Sequence, residues 1–171
     1  MKRLSVLRHA KSSWNEKDLG DFNRPLNDRG WKDARRIGRE MKRRRMQFDL
    51  VVASPAARVR ETIDGIEEKL EFGAAVRFEP QLYLADLDTL LSLVRGLPDD
   101  VNAALLVGHN PGLQELLLTL ADEDSSSLQA RIESKYPTGA LAVAEISVER
   151  WGDAGPRTAM LVELILPKDL D

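Results

Sequence analysis

The chain has two histidines, and each follows an apolar run. Leu4-Ser5-Val6-Leu7 leads into Arg8-His9, and Ala103-Ala104-Leu105-Leu106-Val107 leads into Gly108-His109. A third run, Asp49–Ala53, leads into Ser54-Pro55-Ala56-Ala57-Arg58. Together these residue types suit phosphoryl transfer. Arginine presents a planar fork of donors that grips phosphate oxygens in pairs. A neutral imidazole is a competent nucleophile near neutral pH, because its ordinary pKa is about 6.5. Positive charge beside His9 keeps that ring deprotonated. A second imidazole can donate a hydrogen bond as charge moves onto the phosphoryl oxygens. The expected set is Arg8, His9, Arg58 and His109. It calls for no metal or other cofactor, since two histidines make a poor metal cage and there is no cysteine.

These residues can meet only if the fold delivers them to one place. Apolar runs at 4–7, 49–53, 76–78, 103–107, 140–148 and 158–166 read as strands. Trp31, Ala34, Ile37 and Met41 recur at helical spacing, which predicts a helix over about 29–46. Ser54-Pro55 and Asn110-Pro111 each read as an N-cap followed by proline at the first helical position. They predict helices running to about Leu70 and Ala121, and Leu87, Leu90, Leu91 and Val94 mark another over 86–96. Leu113, Leu116, Leu117 and Leu120 face the core in this reading. Residues 122–137 are acidic and serine-bearing, which suggests a surface loop or a partly helical insertion.

Alternating strands and helices predict an α/β fold: one three-layer domain spanning 1–171, with a mostly parallel sheet and helices on both faces. Arg150–Arg157 would close an antiparallel C-terminal hairpin at one edge. Ligands of such sheets bind beyond the carboxyl ends of the strands. Both histidines and both arginines would therefore share one crevice.

The 171 residues are 31% charged and 43% hydrophobic, with a net charge of −3. That balance suits a soluble globular protein and disfavours nucleic acid as the main partner. The basic helix Arg35–Arg45 then reads as a solvated face rather than a nucleic-acid surface. No stretch has the length of a membrane span, and the N-terminus lacks the apolar core of a signal peptide. No membrane association and a cytoplasmic location are the expectations.

The stretches Arg8-His9-Ala10-Lys11-Ser12-Ser13-Trp14, Arg24-Pro25-Leu26-Asn27-Asp28-Arg29-Gly30, Ser54–Thr62 and Leu105–Leu113 occur in the order found in a known family. Together they resemble the histidine phosphatase superfamily, with its phosphoglycerate-mutase-like fold. They are similar in particular to the small SixA-type phosphohistidine phosphatases. The resemblance covers residues 4–121. It implies that His9 is the phosphorylated nucleophile and that Arg8, Arg58 and His109 complete a phosphate pocket. It also places Asn15 where mutase-like members carry a phosphate-contacting asparagine. Ala10 departs from the usual glycine of the signature, and its methyl group is expected to tighten the backbone there.

Ester-cleaving members of the family place a carboxylic acid over the leaving oxygen, often in the segment after the second helix. Here Leu84 stands at that place, with Asp21, Glu79, Asp86 and Asp88 as possible substitutes. A poor leaving alkoxide needs a proton in the transition state. The imidazole of phosphohistidine leaves more easily, so a site without an acid suits phosphoramidates. The expected function is a metal-independent phosphatase that works through a phosphohistidine intermediate on phosphorylated protein. The alternatives are a phosphatase of small phosphate esters and a phosphoryl-binding module without turnover.

Overall fold

The computed structural model describes residues 1–15 and 17–171. Among these, six strands form one sheet in the order β3-β2-β4-β1-β5-β6. The strands are β1 (Lys2–Arg8), β2 (Leu50–Ala53), β3 (Val76–Phe78), β4 (Ala103–Gly108), β5 (Leu141–Ile146) and β6 (Ala159–Ile165). The first four run parallel, whereas β5 lies antiparallel to β1 and to β6. This is the predicted α/β sheet with an antiparallel edge.

Side chains of successive strand residues point to opposite faces, and both faces are buried. Leu4 and Val6 of β1 and Leu106 of β4 join one core, and Leu7 and Leu105 join the other. The first core is covered by α3 (Leu87–Arg95), α4 (Gly112–Leu120) and α5 (Ser126–Ser134). The second is covered by α1 (Asp28–Arg43) and α2 (Ala57–Glu67) through Ile37, Met41, Val59, Ile63 and Ile66. All four leucines predicted to face the core from α4 are fully buried.

The proline-marked helix starts fall later than the sequence suggests. α2 begins at Ala57 with Ala56 as its cap residue, and α4 begins at Gly112 after Pro111. Ser54 is drawn away because its hydroxyl meets His109 Nε2 at 2.7 Å. The Ala57 N–H donates instead to the Phe22 carbonyl at 3.0 Å. Within 122–137, residues 126–134 are helical, and Ile132 and Tyr136 are buried in the core. The Tyr136 hydroxyl donates to the Val6 carbonyl at 2.6 Å, which ties the end of this segment to β1.

The basic helix is an ion-paired outer face: Arg35 meets Glu68, Arg36 meets Asp33, and Arg43 and Arg44 meet Glu40. No helix is long and apolar enough to cross a membrane among the described residues.

Candidate active site

Strand register places the site. Arg8 lies opposite Gly108 in the parallel pair of β1 and β4, and Ala53 lies opposite Val107 in the pair of β2 and β4. His9, Ser54 and His109 are therefore the first residues past three neighbouring carboxyl ends. The sheet bonds continue one step further, with His9 N donating to the Gly108 carbonyl at 3.1 Å and Ser54 N to the Val107 carbonyl at 3.0 Å. The two imidazoles come to rest 5.4 Å apart between ring centroids.

The loop after β1 is pinned from two sides. Ala10 N donates to Thr62 Oγ1 at 3.0 Å, and Thr62 Oγ1 donates to the Arg58 carbonyl at 2.7 Å. One threonine thus couples the His9 backbone to the helix that carries Arg58. Gly30, at the start of α1, packs against the Lys11 carbonyl so closely that a Cβ there would lie 2.0 Å from it. Any larger residue would push the loop out of place. The methyl of Ala10 is buried in a small cluster with Leu26 and Ala34, so the departure from glycine is absorbed by packing against α1.

Arg58 is 2% exposed and forms the hub. Its Nε donates to His9 Nε2 at 3.4 Å, and its Nη2 donates to His109 Nδ1 at 3.3 Å. Nη1 donates to the Asp21 carbonyl at 2.7 Å, and Nη2 also meets the Asp21 carboxylate at 3.0 Å. These partners fix the tautomers. His9 Nδ1 lies 2.7 Å from the Ala10 carbonyl, which can only accept, so Nδ1 carries the proton. The lone pair is left on Nε2, facing Arg58. His109 accepts from Arg58 through Nδ1, so its proton sits on Nε2 and is donated to Ser54 Oγ.

The crevice has a volume of about 350 Å³ and is lined by Arg8, His9, Arg58 and His109, together with Asp21, Arg24, Trp14 and Leu84. Arg24, the first residue of the Arg24–Gly30 motif, also reaches the crevice. It is buried, stacks on the Trp14 ring at 3.6 Å, and bonds Ser12 Oγ. Arg8 Nη1 donates to the Tyr136 carbonyl at 3.0 Å. The Nε–H groups of Arg8 and Arg24 are buried without an acceptor among the described residues. Buried donors rarely stay unpaired, so this crevice suits a ligand rich in acceptor oxygens. Asn15 does not line the crevice: it is exposed, and its own N–H donates to Ser13 Oγ at 3.1 Å.

Of the carboxylates considered as proton donors, Asp21 alone lines the crevice among the described residues. Glu79 pairs with Arg77 at 2.8 Å, Asp86 caps α3 through the Thr89 N–H at 2.9 Å, and Asp88 is exposed on that helix. Partial burial pushes the Asp21 carboxyl up, but the Tyr83 hydrogen bond and the Arg58 guanidinium outweigh it and bring it down to about 2. An acid that strong is ionised at neutral pH and holds no proton to give. Leu84 stands 54% exposed at the crevice, with φ at +51°, a left-handed conformation uncommon for a branched side chain.

Burial lowers the His9 pKa to about 3, with Arg58, His109 and Arg8 adding to the effect against the Ala10 hydrogen bond. Burial and then the Arg58 charge lower His109 to about 4. Both rings are neutral at pH 7. The unfolded chain binds more protons than the folded one below the ordinary imidazole pKa, so stability falls as pH drops from about 6.5. Each histidine should contribute a slope approaching about 1.4 kcal/mol per pH unit. Thermal unfolding between pH 6.5 and 5, where carboxylates titrate little, should show this loss. Imidazole NMR signals titrating near 6.5 would contradict it.

Residues 4–88 match the histidine phosphatase superfamily (branch 1). The chain is 31% identical to a SixA phosphohistidine phosphatase candidate of known crystal structure from Agrobacterium tumefaciens, over 97% of this chain and 98% of that one, with a TM-score of 0.82. The chain belongs to the histidine phosphatase superfamily. An uncharacterized protein of Mycobacterium leprae is 32% identical over 168 residues, covering 95% of this chain and 100% of that protein. The structure of a protein histidine phosphatase SixA complexed with tungstate shares the fold, at 18% identity, 98% coverage of both chains and a TM-score of 0.79. Family membership and the cationic crevice together support a phosphatase acting on a phosphorylated substrate.

Proposed function

We propose that this histidine phosphatase removes phosphoryl groups from protein phosphohistidine through a covalent intermediate on His9. The observation that carries the reading is the His9 tautomer. Its proton is held by the Ala10 carbonyl, and its Nε2 lone pair faces the guanidinium that would grip the phosphoryl group. Arg58 and Arg8 draw the dianion in, and Arg24 adds charge at the mouth. The Nε2 lone pair then attacks phosphorus, the bond to the leaving nitrogen breaks, and that nitrogen takes a proton from solvent. Water next attacks phosphorus, the P–Nε2 bond breaks, and inorganic phosphate leaves with His9 restored. The negative phosphoryl group raises the His109 pKa, so a protonated Nδ1 can donate to an oxygen as charge builds there. The guanidinium groups and the His109 imidazolium supply the positive charge in this scheme, and it uses no metal.

Two features favour a protein phosphoramidate over a small ester. Asp21, the one carboxyl group that lines the crevice among the described residues, is held ionised by Tyr83 and Arg58 and so is a poor general acid. The crevice also opens between Trp14, 73% exposed, and Leu84, with Phe22 exposed nearby against Tyr83. Exposed apolar side chains around a polar site mark a surface that meets another macromolecule.

The test is a series of phosphates assayed with EDTA present. Rates of His9 phosphorylation should fall steeply as the leaving-group pKa rises. Phosphohistidine and p-nitrophenyl phosphate should react, while phosphoserine should be slower by about 10²–10⁴-fold, the usual contribution of a general acid. Asp21→Asn should leave the slope of that plot unchanged. A flat plot, or one steepened by Asp21→Asn, would move the small-ester reading ahead. Loss of activity in EDTA would end the metal-free scheme.

A further inference from the structure

A groove of about 850 Å³ adjoins the catalytic crevice, more than twice its volume. Arg8, Lys11 and Thr138 line both, so the two are continuous. Four further cations line the groove: Arg29 at the start of α1, Arg131 and Lys135 at the end of α5, and Lys168 in the turn after β6. Among the described residues the single carboxylate in its lining, Asp33, is buried and already shared by Arg29 and Arg36.

The contrast with the rest of the surface gives this groove its meaning. The chain as a whole is acidic, at −3. Elsewhere among the described residues exposed arginines such as Arg3, Arg43 and Arg77 face a carboxylate, and those that do not, such as Arg39, Arg60 and Arg157, are not gathered beside the catalytic crevice. Lys11, Arg131, Lys135 and Lys168 have no carboxylate within ion-pair distance among the described residues. All four are exposed, so their charge reaches a docking partner. Leu166 and Pro167 supply an apolar floor between them, and among the described residues no aromatic ring lines the groove to stack a base. Such a lining fits a peptide better than a nucleotide.

We propose that this groove docks an acidic segment next to the phosphorylated histidine of the substrate protein. The proposal rests on the phosphohistidine reading and narrows it to substrates whose phosphorylated histidine lies beside Asp and Glu. Like-signed or neutral flanks lose the attraction, so the groove selects among phosphoproteins while the crevice performs the chemistry.

The experiment compares two phosphohistidine peptides that differ only in their flank, one rich in Asp and Glu, the other carrying Asn and Gln. Each protein's rate on p-nitrophenyl phosphate, which fills the crevice alone, is its internal reference. The wild type should show kcat/KM about tenfold higher for the acidic peptide at low salt, with the gap closing as salt screens it. The combined substitution Arg131→Glu, Lys135→Glu and Lys168→Glu should erase or invert the preference. In parallel, fluorescence anisotropy follows a labelled acidic peptide without phosphate, and a single-stranded oligonucleotide competes for it. Equal rates on the two peptides, a preference that survives the triple substitution, or an oligonucleotide that displaces the peptide at lower concentration would each overturn the proposal. If p-nitrophenyl phosphate is hydrolysed and neither phosphohistidine peptide is, the substrate reading fails. The anisotropy arm then still decides whether the groove takes an acidic chain.

Discussion

Replacing His9 with alanine should remove turnover, with kcat at least about 10⁴-fold down on p-nitrophenyl phosphate. The size of the loss follows from the site. No other nitrogen among the described residues is prepared as a nucleophile in the crevice, because in this scheme His109 Nδ1 takes up a proton once the phosphoryl group binds and its Nε2 is committed to Ser54. His109 also stands on the third strand end, so it would have to leave its partners to substitute. The arginines remain, and anion binding should survive: vanadate or tungstate should still bind the variant within roughly tenfold of wild type. Loss of chemistry with retention of binding separates a nucleophile from a residue that merely shapes the pocket. Near-normal turnover by His9→Ala would remove the covalent mechanism.

Arg58→Lys should cost about 3–5 kcal/mol of transition-state stabilisation, or roughly 10²–10⁴ in kcat/KM. Lysine keeps the charge but cannot reproduce the fork. From one guanidinium, Arg58 reaches His9 Nε2, His109 Nδ1, the Asp21 carbonyl and the Asp21 carboxylate. An ammonium can serve some of these but cannot hold a planar array toward two phosphoryl oxygens. The carboxylate of Asp21 would also lose its main partner, and Tyr83, which hydrogen-bonds it, would lose its anchor. A control in the same assay is the unfolding temperature, which separates a lost clamp from a lost fold. Kinetics within a few-fold of wild type would place Arg58 outside the chemistry.

The parts of this site that strand periodicity dictates were legible from residues alone. A hydrophobic run that ends on a polar residue marks a strand end, and parallel strands in register bring their ends together. That is why Arg8, His9 and His109 could be placed in one crevice although 100 positions separate the two histidines. Arg58 followed because it lies in the first turn of the helix after β2. What stayed hidden depends on loops, whose path no periodicity reports. Asp21 meets Arg58 and Tyr83 only because the loop after β1 folds back over α2, with the Phe22 carbonyl taking the first N–H of that helix. The stack of Arg24 on Trp14 is of the same kind. Ser54 carried a cap signal, and the tertiary bond to His109 overrode it. The serine-rich stretch before Tyr136 looked like surface because its helix buries few side chains, chiefly Ile132.

The central claim is a phosphoryl group carried on His9 Nε2. Its most direct measurement is to mix the protein with p-nitrophenyl phosphate, quench in base within milliseconds to seconds, and locate the phosphate by peptide mass spectrometry and ³¹P NMR. The account predicts an acid-labile, base-stable phosphoramidate on His9, at Nε2 because the Ala10 carbonyl holds Nδ1. It also predicts that the signal forms and decays fast enough to lie on the turnover path. Phosphate found on His109, on a carboxylate such as Asp21, or on no residue at all while turnover proceeds would contradict it.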